Sequence, residues 1–224
     1  MDKSIDSSLV ELLVHTLNDH TLLKDAKSGK YLDANHKHVS VYNLNKPEEI
    51  IGSTVWDLNN VMNQMWLDNA CQIAKYDEEV IATCKPFIHP KRVWLNAQGQ
   101  IWAHHMSRIP VMGQKKNIIA ILSIGQDLTH TLKLEELYTY YCKFYKDKST
   151  ARRKFLEHVN VFGMFIELPT DAEIKTLIAK AILIQNKEVA NYLKIALATV
   201  ETHINRLGQK TNNLALVCSL LRSW

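Results

Sequence analysis

Cysteine is scarce in this chain, and Cys71, Cys84, Cys142 and Cys218 form no C-x-x-C pair and stand beside no histidines at zinc-ligand spacing. That excludes a disulfide framework and a structural zinc site, so the four are expected to be reduced thiols in the core. Long apolar runs are missing as well. The opening Met1-Asp2-Lys3-Ser4 leads into an amphipathic pattern at Leu9, Leu12 and Leu13, with neither a secretory leader nor a membrane span, and a cytoplasmic protein is expected. Catalytic signatures are absent too. Ser28-Gly29-Lys30 lacks the upstream glycine of a phosphate loop, and no G-x-G-x-x-G, nucleophile elbow or H-E-x-x-H helix occurs. His36 and His89 are isolated, so no enzyme is expected. Neither sign of charge dominates: 27 Lys and Arg against 23 Asp and Glu leave a formal net charge of +4, too little for an indiscriminate nucleic-acid coat.

What is present fits two modest domains, since 224 residues can bury two cores without staples. Near the C-terminus two short helical patterns, Asn186-Lys187-Glu188-Val189-Ala190 and Ala198-Thr199-Val200-Glu201-Thr202-His203, are separated by Lys194-Ile195-Ala196. This is helix-turn-helix grammar. In Leu197 to Gln209, Val200, Ile204 and Leu207 fall at i, i+4 and i+7 and predict a buried face. The opposite face carries Ala198, Thr202, Asn205 and Gln209, flanked by Glu201 and Arg206. Small and amide side chains let a helix approach base edges in a major groove, where Asn and Gln pair with adenine and Glu accepts from cytosine. A polar outer face on any small helical domain is the alternative at this point.

Residues 168–210 also resemble the C-terminal DNA-binding domain of LuxR-type (NarL-type) regulators. Pro169-Thr170-Asp171-Ala172-Glu173 is similar to the start of that family's first helix, and Thr170 and Glu173 have capping-box spacing. Asn186-Lys187-Glu188-Val189-Ala190 resembles its N-K-E-I-A, and Leu193, Ile195, Thr199-Val200, His203 and Lys210 fall at further family positions. The sequence departs from the pattern at Leu183, where the family has Gly; at Ala196, where it has a capping Ser worth about 1 kcal/mol; and at Glu201, where it has Lys. Beyond Lys210 the family's Leu-Gly-Val is replaced by Thr211-Asn212-Asn213, followed by an apolar helix, Leu214 to Leu221. The resemblance implies an all-α four-helix domain. Expected base-reading residues are Glu201, Thr202, Asn205 and Gln209, and expected phosphate contacts are Lys187, Lys194, Thr199, Arg206 and Lys210.

Toward the N-terminus, Thr21–Asp25 and Tyr31–Asn35 flank the turn-rich Lys27-Ser28-Gly29-Lys30 and predict a hairpin. Short helices are expected at His36 to Tyr42 and Pro47 to Ile51, and a longer one from about Gln64 to Thr83 that directs Trp66, Ile73, Val80 and Cys84 inward. Three strands, Phe87 to Leu95, Ile101 to Val111 and Ile118 to Ile124, complete an α+β domain with an antiparallel sheet. This order over about 15–129 resembles a PAS sensor domain, through Asn35, Glu48-Glu49-Ile50-Ile51-Gly52, Asp57, Gly99 with Trp102, Pro110 and Asp127-Leu128-Thr129. Such domains commonly hold a small molecule. The flavin-linking Asn-Cys-Arg-Phe is absent and the long helix has no histidine to ligate haem, so no cofactor is expected beyond an unidentified small-molecule ligand, for which Trp94, Trp102, Met65 and Met106 are candidate walls. His104 and His105 stand on opposite faces of one strand, the inward one expected to be a satisfied core histidine.

The expected layout is a PAS-like sensor over 1–129, a helical linker over 130–166 and a LuxR-type helix-turn-helix domain over 167–224. In the linker, Leu134, Tyr138, Tyr141 and Tyr145 form a short coiled-coil pattern that predicts a homodimer seam, and a second helix from near Ser149 is expected to bury Phe155, Val159 and Phe162. Together these imply a transcription regulator that binds double-stranded DNA as a dimer under control of a sensed signal. Two alternatives remain: a regulator acting through protein contacts whose helix-turn-helix has lost DNA binding, and a sensor with another output.

Overall fold

The computed structural model describes residues 7–60, 62, 66 and 68–224 and divides the chain into two units, Met1–Thr129 and His130–Trp224. Gln64 and Met65, expected at a helix start and a cavity wall, lie outside the described residues, as does the opening Met1–Ser4.

In the first unit β1 (His20–Asp25), β2 (Tyr31–Ala34), β3 (Phe87–Leu95), β4 (Ile101–Met112) and β5 (Ile118–Asp127) form one antiparallel sheet in the order β2-β1-β5-β4-β3. This is the α+β, PAS-like architecture that the order of elements implies. The β1–β2 turn needs a left-handed residue, and Gly29 takes φ +68°. Period-two alternation gives the sheet two faces. On one, Leu23, Ala120 and Leu122 pack with Ile109, Val111 and Ile124 against Val10 and Val14 of α1 (Ser7–Thr16). The helix is where the leucine pattern places it, but its inward face is different. Val10 and Val14 turn to the sheet, while Leu9 and Leu12 are 56% and 57% exposed.

The other face is covered by α2 (His36–Ser40) and α4 (Asn69–Thr83), with α3 (Val55–Asn59) packed on α4. Asn35 caps α2 by accepting from the His38 amide, and also accepts from the Thr21 amide and donates to the Asp19 carbonyl, so one side chain joins helix, strand and loop. Asp57 closes a capping box with Thr54 at α3. Along α4, Ala70, Ile73 and Val80 are buried, as is Trp66 just ahead of it, but Cys84 is exposed and ends the helix at φ +53°. Of the four cysteines only Cys218 is buried; Cys71 and Cys142 are half-buried, which corrects the expectation of four core thiols.

The second unit is all α: α5 (Leu134–Phe144), α6 (Lys148–His158), α7 (Asp171–Ile182), α8 (Asn186–Leu193), α9 (Leu197–Lys210) and α10 (Leu214–Arg222). Here the expected dimer seam is corrected. Leu134, Tyr138 and Tyr141 are buried within the chain, with Tyr138 and Tyr141 against Phe155 of α6 at ring separations of 5.1 and 6.5 Å. The Tyr138 hydroxyl donates to Asp171 of α7 at 2.8 Å, and Tyr141 bonds His158 at 2.6 Å. The apolar stripe is real, but an intramolecular helix occupies it. Phe155 and Val159 are buried as expected, while Phe162 is half-buried beneath the Arg153 guanidinium.

Candidate DNA-reading face and sensor interior

The reading face depends on how tightly α7, α8 and α9 are fixed. Thr170 caps α7, its hydroxyl accepting from the Glu173 amide while the Glu173 carboxylate accepts from the Thr170 amide at 2.7 Å. Glu173 is 1% exposed and also accepts from Lys210 Nζ at 3.1 Å. Burial alone would raise its carboxyl, but the hydrogen bonds from Thr170 and Lys210 outweigh it and hold the group below the usual glutamate range. Where the family has Gly, Leu183 takes an extended conformation, and the turn into α8 is held by Lys180, which donates to the Ile184 carbonyl and to Asn186 Oδ1. Sequence reasoning missed this role of Lys180.

The turn between α8 and α9 is Lys194-Ile195-Ala196. Lys194 is left-handed at φ +55°, and the Ile195 amide donates to the Ala190 carbonyl. Ala179, Val189, Ala190 and Val200 form the core of the crossing, packed by Leu183, Leu193, Ile195 and Ile204. The small side chain of Ala190 lets the helices approach. Ala196 stands at the N-cap of α9 in extended conformation with no side chain to cap it. His203 bonds Thr176 of α7 at 2.9 Å, so this family-like histidine fixes α9 rather than facing outward.

With that stripe buried, Ala198, Thr199, Glu201, Thr202, Asn205, Arg206 and Gln209 are all exposed, as are Lys187 and Lys194. The Thr202 hydroxyl donates to the Ala198 carbonyl, leaving its lone pairs and methyl outward. Lys187, Lys194, Glu201 and Arg206 make no ion pair among the described residues. Lys210 does not join them. Its ammonium lies 2.7 Å from Glu167 and 3.1 Å from Glu173, and these carboxylates raise its pKa and offset its charge while keeping it protonated. Lys210 is therefore a structural tie between α9 and α7, which corrects its expected role as a phosphate contact.

The interior of the first unit is more polar than the sequence reading anticipated. Trp94, Trp102 and Met106 line one space with Lys24, Tyr31, His38, Tyr42, Arg92, His104 and Arg108, leaving about 10 Å³ open, room for one water. His104 is the inward histidine of its pair, but only Nδ1 is satisfied, by Trp94 Nε1 at 3.3 Å; Nε2 is buried without a partner. Both ring nitrogens of buried His38 also lack one. Burial lowers both histidines well below the usual value and keeps them neutral.

No protein-family model matches the chain, and no curated protein matches it. Among solved structures, it is similar to the Vibrio cholera VqmA–ligand–DNA complex at 19% identity over 98% of this chain and 87% of that one, with a TM-score of 0.49. Comparable values hold for a phage VqmA–DPO complex, at 18% identity over 99% and 89% with a TM-score of 0.47. The PAS domain of Bordetella pertussis BvgS is similar over 61% of this chain and 95% of its own, at 16% identity and a TM-score of 0.48.

Proposed function

We propose that this protein is a transcription regulator in which a PAS-like sensor unit controls a LuxR-type helix-turn-helix that binds double-stranded DNA as a homodimer. One observation carries the reading: α9 buries Val200 and Leu207 and presents Glu201, Thr202, Asn205, Arg206 and Gln209 together to solvent, with Lys187 and Lys194 exposed on the preceding helix and turn. Asn205, Gln209, Thr202 and Glu201 then face base edges, while Lys187, Lys194, Thr199 and Arg206 meet phosphates.

With the tyrosine stripe occupied inside the chain, pairing falls to other apolar surfaces. Leu216 and Leu220 lie at i, i+4 on α10, 46% and 41% exposed, and α1 carries the exposed Leu9, Leu12 and Leu13. Both stripes suit a second copy of the same chain. A signal that changes packing in the sensor unit shifts the population of dimers whose two reading helices match operator spacing.

The test is a binding selection from random duplexes followed by salt titration of the enriched sequence. A selected site with a log–log salt slope of several units supports the reading. Enrichment of no duplex at low salt refutes it and favours a regulator that works through protein contacts, a reading to which the outward carboxylate of Glu201 lends support. Sedimentation of Leu216→Lys and Leu9→Lys variants tests pairing: each is expected to dissociate further than the parent, and an unchanged dimer in both would exclude these stripes.

A further inference from the structure

The covered face of the sheet carries more positive charge than the protein neutralises. Lys24 on β1 and Arg108 on β4 are each 2% exposed, Arg92 on β3 is 6% exposed, and all three line the same interior space. Asp77 of α4 takes Lys24 on one oxygen at 2.9 Å and Arg108 on the other. Among the described residues Arg92 pairs with a neutral group, donating to Asn69 Oδ1 at 2.5 Å, with its guanidinium 5.7 Å from the Tyr76 and Trp94 rings. The exposed Asp68 adds a lesser attraction. Among the described residues, two of the three buried cations thus share a single carboxylate, Asp77, and Arg92 pairs with none.

A buried ion pair used only for packing should balance, because an uncompensated internal charge carries a desolvation cost that hydrogen bonds to neutral groups repay in part. One water in the open space would satisfy hydrogen-bonding groups but not the charge. Of the nine buried side-chain polar atoms without partners among the described residues, five belong to residues that line this space: Nε of Arg108, Nε2 of His104, Nε1 of Trp102 and both ring nitrogens of His38. Tyr42, Trp94 and Trp102 supply flat apolar walls around them.

We infer that this interior is a binding site for a small planar organic anion, whose acid oxygens pair with Arg92 and Arg108 and whose body lies among Tyr42, Trp94 and Trp102. The inference deepens the sensor reading above and rests on it. Arg suits the role because its planar fork matches a carboxylate and it stays charged when buried. Little open space remains, so the ligand enters only as the aromatic walls part. Binding and a change in sensor packing are then one event.

The test uses the dialysed full chain and matched pairs of probes: formate, acetate and benzoate against formamide, acetamide and benzamide, at ionic strength held constant with chloride. Tryptophan fluorescence and thermal melting are followed. At least one acid is expected to bind saturably and raise the melting temperature with concentration while its amide does not. Arg92→Gln is expected to weaken that acid about tenfold or more, since a charge-assisted pair is lost, and to leave acid-free binding to the selected duplex unchanged. Amides that bind as well as acids would overturn the anion assignment and leave the sensor reading standing. Acids indistinguishable from chloride would overturn it too, and duplex binding of the same sample judges the DNA-reading proposal separately. Should Arg92→Gln not fold, the acid–amide comparison on the parent protein decides alone.

Discussion

Replacing Glu201 with Lys tests the reading face at its least family-like position. Glu201 is exposed on α9, one turn before Asn205, and no cation pairs with it among the described residues, so the change breaks no ion pair there. Stability should stay within about 0.5 kcal/mol. If the carboxylate is simply repelled by phosphate, Lys at this site adds one phosphate contact per protomer. Each such contact releases about 0.9 counterion, worth about 1 kcal/mol at about 0.15 M salt, or about fivefold in affinity. Across a dimer this becomes about thirtyfold, and the salt slope steepens by about 1.8 units. Fluorescence anisotropy with a selected duplex and a scrambled one, at four or more salt concentrations, measures both quantities. The gain should be equal for the two duplexes. A loss of about 1–3 kcal/mol confined to the selected duplex, with circular dichroism unchanged, would show that Glu201 accepts from a cytosine and would refute the repulsion argument.

Ala196→Ser should supply the missing cap at α9 and stabilise the helical unit by about 1 kcal/mol, raising its melting temperature by about 4–8 °C; calorimetry that finds no gain would mean the serine hydroxyl cannot reach the free amides. Lys210→Met should lower thermal stability, since Glu173 and Glu167 lose their shared cation, while leaving the DNA salt slope unchanged; a slope reduced by about 0.9 per protomer would restore Lys210 as a phosphate contact. Burial lowers Lys24 to about 8, so from pH 8 to about 10 the unfolded chain binds the proton that the folded chain has released and stability rises with pH. Tyr42, raised to about 12 by burial, reverses the trend above about pH 10, where the unfolded chain ionises first. Urea melts across this range should show the rise, worth up to about 3 kcal/mol, and Lys24→Met should flatten it and gain stability at pH 7. A flat profile in the parent protein would contradict the burial of a charged Lys24.

Period and cap chemistry made much of this molecule legible in one dimension. The five strands, the Thr170–Glu173 box and the division of α9 into a buried stripe and an exposed polar face follow from spacing, because local backbone geometry sets which residues share a face. Even the charged interior left a trace. Asp77 falls on the same face of α4 as Ile73 and Val80, and Lys24, Arg92 and Arg108 stand at inward strand positions beside Leu22, Trp94 and Met106. Taken one strand at a time, each is an ordinary surface charge. Only the pairing β1-β5-β4-β3 and the helix laid over it bring the three cations into one space and set Lys24 and Arg108 on one carboxylate. Partner choice was hidden for the same reason. The Leu134–Tyr145 stripe specifies a helix that must bury one face, but whether α6 and α7 or a second chain covers it depends on contacts distant in sequence, as does whether Lys210 is free for phosphate or held by Glu173, 37 residues away. Periodicity states that a face will be covered; tertiary packing decides by what.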